Sequence, residues 1–195
     1  MKTFKLNRII SIEQLNLPYQ YKLVLSDFIH KIRKYFCDKL LLLVVTGSGG
    51  KSKIIEGWSD LDFLIVLKYF SLKDNSEIAR LVNISPIKIG TTIYSKQEFE
   101  SGLVDSKTVF NLELIRKKII IPIILQNNLE FPYFTNTDRK KLHIILLPNI
   151  IHELKRKLDY KNEHNLRPIA KSIDTIMKFI ISISSKKLIS GYKEV

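Results

Sequence analysis

The chain has 195 residues, a formal net charge of +13 and a hydrophobic share of 45%. That length allows one large domain or two small ones, and that apolar content supports a packed core, which excludes a disordered chain. The single cysteine, Cys37, excludes an internal disulfide framework and any cysteine-built metal site.

The excess of Lys and Arg fits an anionic partner such as a nucleotide, a nucleic acid or an acidic protein. It fits equally a chain rich in Lys, Ile and Asn throughout. The N-terminus lacks the long apolar core and small-residue cleavage site of a signal peptide. The apolar runs Leu40 to Val45 and Ile119 to Leu125 are far shorter than a membrane span. A soluble, cytoplasmic protein is expected.

Residues 1–16 carry no clear pattern. After Pro18, a residue suited to a first helical turn, Tyr21, Val24, Leu25, Phe28, Ile29, Ile32 and Phe36 recur at helical spacing. They predict an amphipathic helix, with His30 at its surface or boundary; Cys37 is expected to pack on a helix. Leu40 to Val45 is a short apolar run bounded by Gly47, and it predicts a strand. A polar loop follows, then a second apolar run, Leu61 to Leu67, opening inside the pair Asp60 and Asp62.

Residues at i and i+2 of a strand share a face, so the spacing projects Asp60 and Asp62 together. Two carboxylates on one face repel each other unless a cation sits between them. Oxygen ligands of this kind suit Mg²⁺, normally shared with substrate phosphates. The preceding Gly47-Ser48 turn can bring backbone N–H groups close to a phosphate.

Other phosphate motifs fail here. Gly50-Lys51-Ser52 ends like a P-loop, but Val45 stands where the first glycine belongs. The stretch from Gly49 to Asp62 is also short for a P-loop helix and the rest of a βαβ unit. The dinucleotide fingerprint fails as well, because Ser52 replaces its third glycine.

The order strand, Gly47-Ser48, loop, Ser59-Asp60-Leu61-Asp62 and second strand resembles the nucleotidyltransferase superfamily of the DNA polymerase β type, in the form of its small bacterial and archaeal members. The match covers roughly the first half of the chain. The resemblance implies an α/β (α+β) fold: a small mixed β-sheet with helices on one face, followed by a C-terminal α-helical segment. It implies Asp60 and Asp62 as catalytic, Mg²⁺-holding carboxylates, and Gly47, Ser48 and Lys51 as nucleotide-binding residues. The substrate would be a nucleoside triphosphate, ATP foremost, and the acceptor a hydroxyl on a protein, an RNA or a small molecule. No membrane partner is expected.

Downstream, residues 71–84 read as a loop and a short helix stopped by Pro86. Ile87 to Tyr94 reads as a third strand. The family's third carboxylate belongs on this strand, at about Gly90, yet no acid occurs from Ser85 to Tyr94. Glu98 or Glu100 is a possible substitute. A second reading follows from the gap: a non-catalytic, nucleotide-binding or antitoxin-like regulatory protein that keeps the fold without a full acid triad.

Ser95 and Glu98 form a capping-box pattern for a helix to about Ser101, with Phe99 facing the sheet. Residues 107–117 read as a helix, and Ile119 to Leu125, carrying Pro122, as an edge strand. Gln126 to Asn136 reads as a loop, which divides the chain into an α/β domain, 1–130, and a helical hairpin, 131–195. In the second domain Thr137-Asp138 should cap a helix to about Leu158, kinked or split at Pro148. A last helix from about Leu166 to Leu188 carries Ile169, Ile173, Ile176, Met177, Ile180 and Ile183 as a core stripe, with Gly191 ending it. The histidines His143, His152 and His164 have no zinc-site spacing.

Overall fold

The computed structural model describes residues 2–5, 11–117, 123–127, 129–159 and 166–184. Two compact units divide at Tyr133 and Phe134, Met1–Tyr133 and Phe134–Val195.

The first unit opens with a two-residue strand, β1 (Thr3–Phe4), and helix α1 (Tyr19–Phe36) follows directly after Pro18. Then come β2 (Leu40–Thr46), a single helical turn α2 (Gly47–Gly50) and β3 (Leu61–Leu67). Helix α3 (Leu72–Asn83) is closed at its start by a reciprocal Ser71–Asp74 cap. Next are β4 (Ile89–Ser95), α4 (Lys96–Glu100), α5 (Ser106–Arg116), β5 (Ile123–Gln126) and β6 (Phe131–Pro132).

The main sheet has the order β4-β3-β2-β5. It is mixed: β3 runs antiparallel to β2 and parallel to β4, while β5 is an antiparallel edge strand beside β2. Pro122 lies outside the described residues, so its expected edge position is not described. The small sheet β1-β6 falls partly within the expected loop Gln126 to Asn136. Strands of two residues leave no alternation for a sequence pattern to show.

Alternation along β2 and β3 assigns the faces. Leu43, Val45, Leu61, Phe63, Ile65 and Leu67 join α1 and α3 in one core. Phe28 of α1 meets Phe63 ring to ring at 4.6 Å. The alternate residues Leu42, Val44, Leu64 and Val66 are also buried, so the second face is covered too. There Tyr94, in register with Val66, meets Phe99 of α4 and hydrogen-bonds Thr108 of α5. Helices therefore cover both faces of the sheet rather than the single face expected. Cys37 is exposed rather than buried in the core; its thiol donates to the Lys34 carbonyl of α1 at 3.1 Å, and it caps that helix with a positive φ of 39°.

The second unit contains α6 (Asn136–Asp159) and α7 (Leu166–Ser184), which pack on each other. Helix α6 continues through Pro148, so of the kink or split expected there the split does not occur. Its cap is Thr135, whose hydroxyl accepts from the Asp138 N–H while Asp138 accepts from the Thr135 N–H, so Thr137 is not the cap. His143 is buried and stacks on Phe179 at 4.1 Å. Phe179 and Ser172 are the buried side of α7, and Ile173, Met177 and Ile180 remain 48%, 41% and 42% exposed. These three residues of the expected core stripe are thus largely at the surface. Gly191 lies outside the described residues. Among the described residues no helix is long and apolar enough to cross a membrane.

Candidate active site

The site is built at the junction of β2, α2 and β3. Thr46, the last residue of β2, is paired with Asp62 in the antiparallel register, and on the other side Asp62 is paired with Gly90 of β4. Asp62 thus sits between two neighbouring strands, on the face it shares with Leu64 and Val66.

Glycines stand on either side of its carboxylate. A Cβ placed on Gly47 would lie 2.5 Å from Asp62 Oδ2, and one placed on Gly90 would lie 2.5 Å from Asp62 Oδ1. Each oxygen therefore occupies space that any larger residue would fill. Gly47 also has φ of +64°, a left-handed turn that strands rarely enter without glycine. Gly49 packs α2 down onto the strands, where an added Cβ would stand 3.2 Å from both Leu61 and Val45. The Ser48 carbonyl accepts from the Lys53 N–H at 2.9 Å, which closes the loop that carries Lys51.

Asp60 is half-buried and immediately precedes β3. Both of its chain neighbours are anchored. The Ser59 hydroxyl accepts from the Ile55 N–H at 2.9 Å, and the Ser59 carbonyl accepts from the Tyr21 hydroxyl at 3.0 Å. The Leu61 N–H donates to the Lys88 carbonyl at 3.0 Å. Of the residues singled out from sequence, Gly47 and Asp62 are brought into direct proximity, with Ser48 next in the turn.

The strand β4 carries no acid, and the residue beside Asp62 is Gly90. The two substitutes considered from sequence have other partners. Glu98 accepts from the Ser95 N–H and hydroxyl, both at 2.8 Å, and these bonds hold its carboxyl below the usual range. Glu100 accepts from the Glu130 N–H at 3.2 Å and lies 3.9 Å from Lys96.

A residue that sequence reasoning missed approaches Asp62 instead. Lys107 Nζ, from the first turn of α5, lies 3.4 Å from Asp62 Oδ1. That turn is tied to β4. The Tyr94 hydroxyl accepts from the Asp105 N–H at 2.9 Å and lies 3.1 Å from the Thr108 hydroxyl. The Asp105 side chain in turn caps α5 by accepting from the Thr108 N–H at 2.6 Å. Burial pushes the Tyr94 phenol up from its ordinary value, so it stays a neutral hydrogen-bonding clamp at physiological pH. The sequence pattern started this helix at residue 107 without naming the Asp105 cap, and nothing in the chain order of Lys107 indicated that it would reach Asp62.

The donor set bears on a metal ion directly. Among the described residues no group of three or more His, Cys, Asp or Glu could hold one by protein ligands alone. Mg²⁺ is commonly bound by one or two carboxylates with the remaining positions filled by water and substrate phosphates. Asp60 and Asp62 beside a glycine turn fit that shared mode.

No family model and no curated protein matches the chain. Among solved structures it is similar to the spectinomycin adenyltransferase AAD(9) from Enterococcus faecialis, determined with ATP and spectinomycin, at a TM-score of 0.62 and 17% identity. The match covers 86% of this chain and 77% of that one. The chain has a nucleotidyltransferase-type α+β fold.

Proposed function

We propose that this protein transfers a nucleoside monophosphate from a nucleoside triphosphate, ATP foremost, to an acceptor hydroxyl. The observation that carries this reading is the Asp62 carboxylate held between Gly47 and Gly90 at the end of the Gly47-Ser48 turn. In the reaction the acceptor oxygen bonds to the α-phosphorus, the bond from that phosphorus to the bridging oxygen breaks, pyrophosphate leaves with the electron pair, and the hydroxyl proton passes to solvent.

Asp60 and Asp62 would hold Mg²⁺, which supplies charge neutralisation on the triphosphate and its leaving group. Gly47 and Ser48 would hold phosphate oxygens through backbone N–H groups and the serine hydroxyl. Lys51, in the same loop, would add positive charge.

The fold neighbour's small-molecule acceptor favours a small hydroxylated compound over a protein or RNA. The test is incubation with each labelled triphosphate, Mg²⁺ and separate acceptor pools of small molecules, protein and RNA. Label entering the small-molecule pool supports the reading, and label entering none counts against it.

One observation favours the second reading, a non-catalytic nucleotide-binding or regulatory protein: β4 offers no third carboxylate. Nucleotide binding without label transfer would decide for it.

A further inference from the structure

We infer that Lys107 supplies, from α5, the positive charge that a second metal ion supplies in sites with a third carboxylate. This rests on the nucleotide-site reading above. In two-metal sites the paired ions stabilise the attacking and leaving oxygens, and additional carboxylates hold them in place. Here the strand position beside Asp62 is Gly90, with no side chain to offer. The ammonium of Lys107 lies on that side of Asp62, against the same Oδ1 that a Cβ on Gly90 would meet.

The formal charge is the same in both arrangements. Two carboxylates, one ammonium and one divalent ion sum to the same value as three carboxylates and two divalent ions. The triphosphate thus meets an equal net charge with one fewer acid and one fewer ion.

Lys107 is built to act this way. Its backbone is fixed through Asp105, Thr108 and the Tyr94 hydroxyl. Its side chain is 56% exposed, so the ammonium is free to swing from Asp62 to an incoming phosphate. A lysine ammonium is a compact charge on a flexible stem, suited to such a move. Without nucleotide it neutralises Asp62; with nucleotide it exchanges one anion for another.

The experiment counts Mn²⁺ bound by the full chain in the presence of saturating α,β-methylene-ATP, by electron paramagnetic resonance, and measures analogue affinity by calorimetry. Wild type, Lys107→Ala and Lys107→Arg are compared. The expected result is a single Mn²⁺ per bound analogue in wild type. Lys107→Ala should keep that count and lose affinity by roughly tenfold, the size of one charge-assisted contact. Lys107→Arg should keep most of the affinity. Two Mn²⁺ in wild type, or unchanged affinity in Lys107→Ala, would overturn the inference while leaving the nucleotide site intact. Absence of any analogue binding by wild type with Mn²⁺ would overturn both. Melting curves of the free proteins serve as the folding control, and a similar melting temperature is expected because Lys107 is at the surface.

Discussion

Asp62 and Gly47 are in such close approach that a methyl group on Gly47 would stand 2.5 Å from Asp62 Oδ2. The turn and the acidic strand are therefore a single unit. Gly47→Ala should harm both stability and binding. Its φ of +64° is strained for any residue with a Cβ, at a cost of about 1–2 kcal/mol. A lower melting temperature and loss of Mg²⁺-dependent ATP binding, read by thermal melts and calorimetry, are expected together.

Gly90→Ala separates these two effects. The new Cβ would meet Asp62 Oδ1 at 2.5 Å, but Gly90 lies in extended β4 with no left-handed backbone. A side chain there reduces the freedom of the unfolded chain, an effect of about 0.4–1 kcal/mol in favour of the fold. The melting temperature should hold or rise slightly, while the displaced carboxylate weakens Mg²⁺-dependent ATP binding. A fall in stability equal to that of Gly47→Ala would contradict this.

The parts of this site that are local in sequence were legible there. Gly47-Ser48 between two apolar runs, followed by Asp60 and Asp62, carries its own strand, turn and strand pattern. The register that sets Gly90 beside Asp62 follows from one parallel strand pair, and the missing acid on β4 could be read directly. The Lys107 contact could not be read, because it depends on where α5 starts and on a phenol–backbone bond between Tyr94 and Asp105. The α6 cap was misplaced by two positions: Thr135-x-x-Asp138 and Thr137-Asp138 are both cap-like, and only the hydrogen bonds distinguish them. Of the stripe expected on α7, Ile173, Met177 and Ile180 are exposed, while Phe179, which lay outside that stripe, is buried and stacks on His143 of α6.

Asp60→Asn and Asp62→Asn should each abolish nucleotidyl transfer without lowering stability by more than about 1 kcal/mol. Each carboxylate would bind metal only with substrate present, and the partly exposed Lys107–Asp62 pair contributes little to folding. Residues acting as one unit are not additive, so the double variant should be about as inactive as either single. Transfer assays and melting curves check this. A large loss of stability with transfer retained would give the two aspartates a structural role.

Asp74 makes a separate, pH-dependent contribution to the fold. Its buried carboxylate accepts from the Ser71 hydroxyl at 2.7 Å and from Lys39 at 3.2 Å. Burial alone would raise its pKa, but the bonds from Ser71 and Lys39 outweigh burial and hold it below the ordinary aspartate value. A carboxylate with a depressed folded-state pKa contributes stability above its unfolded pKa and loses it as pH falls through the folded value. Asp74→Asn should therefore cost about 1–2 kcal/mol at neutral pH, from loss of the cap and of the Lys39 pair. The gap to wild type should narrow as pH falls below about 4, in denaturant melts across an acid series.

The central claim is that Asp62, beside the Gly47-Ser48 turn, holds nucleotide through a divalent cation. It is tested most directly by calorimetric titration of ATP into wild type and Asp62→Asn, each with Mg²⁺ and with excess chelator. The account predicts saturable binding by wild type in Mg²⁺ and in no other condition. Equal binding in chelator, or by Asp62→Asn, would contradict it.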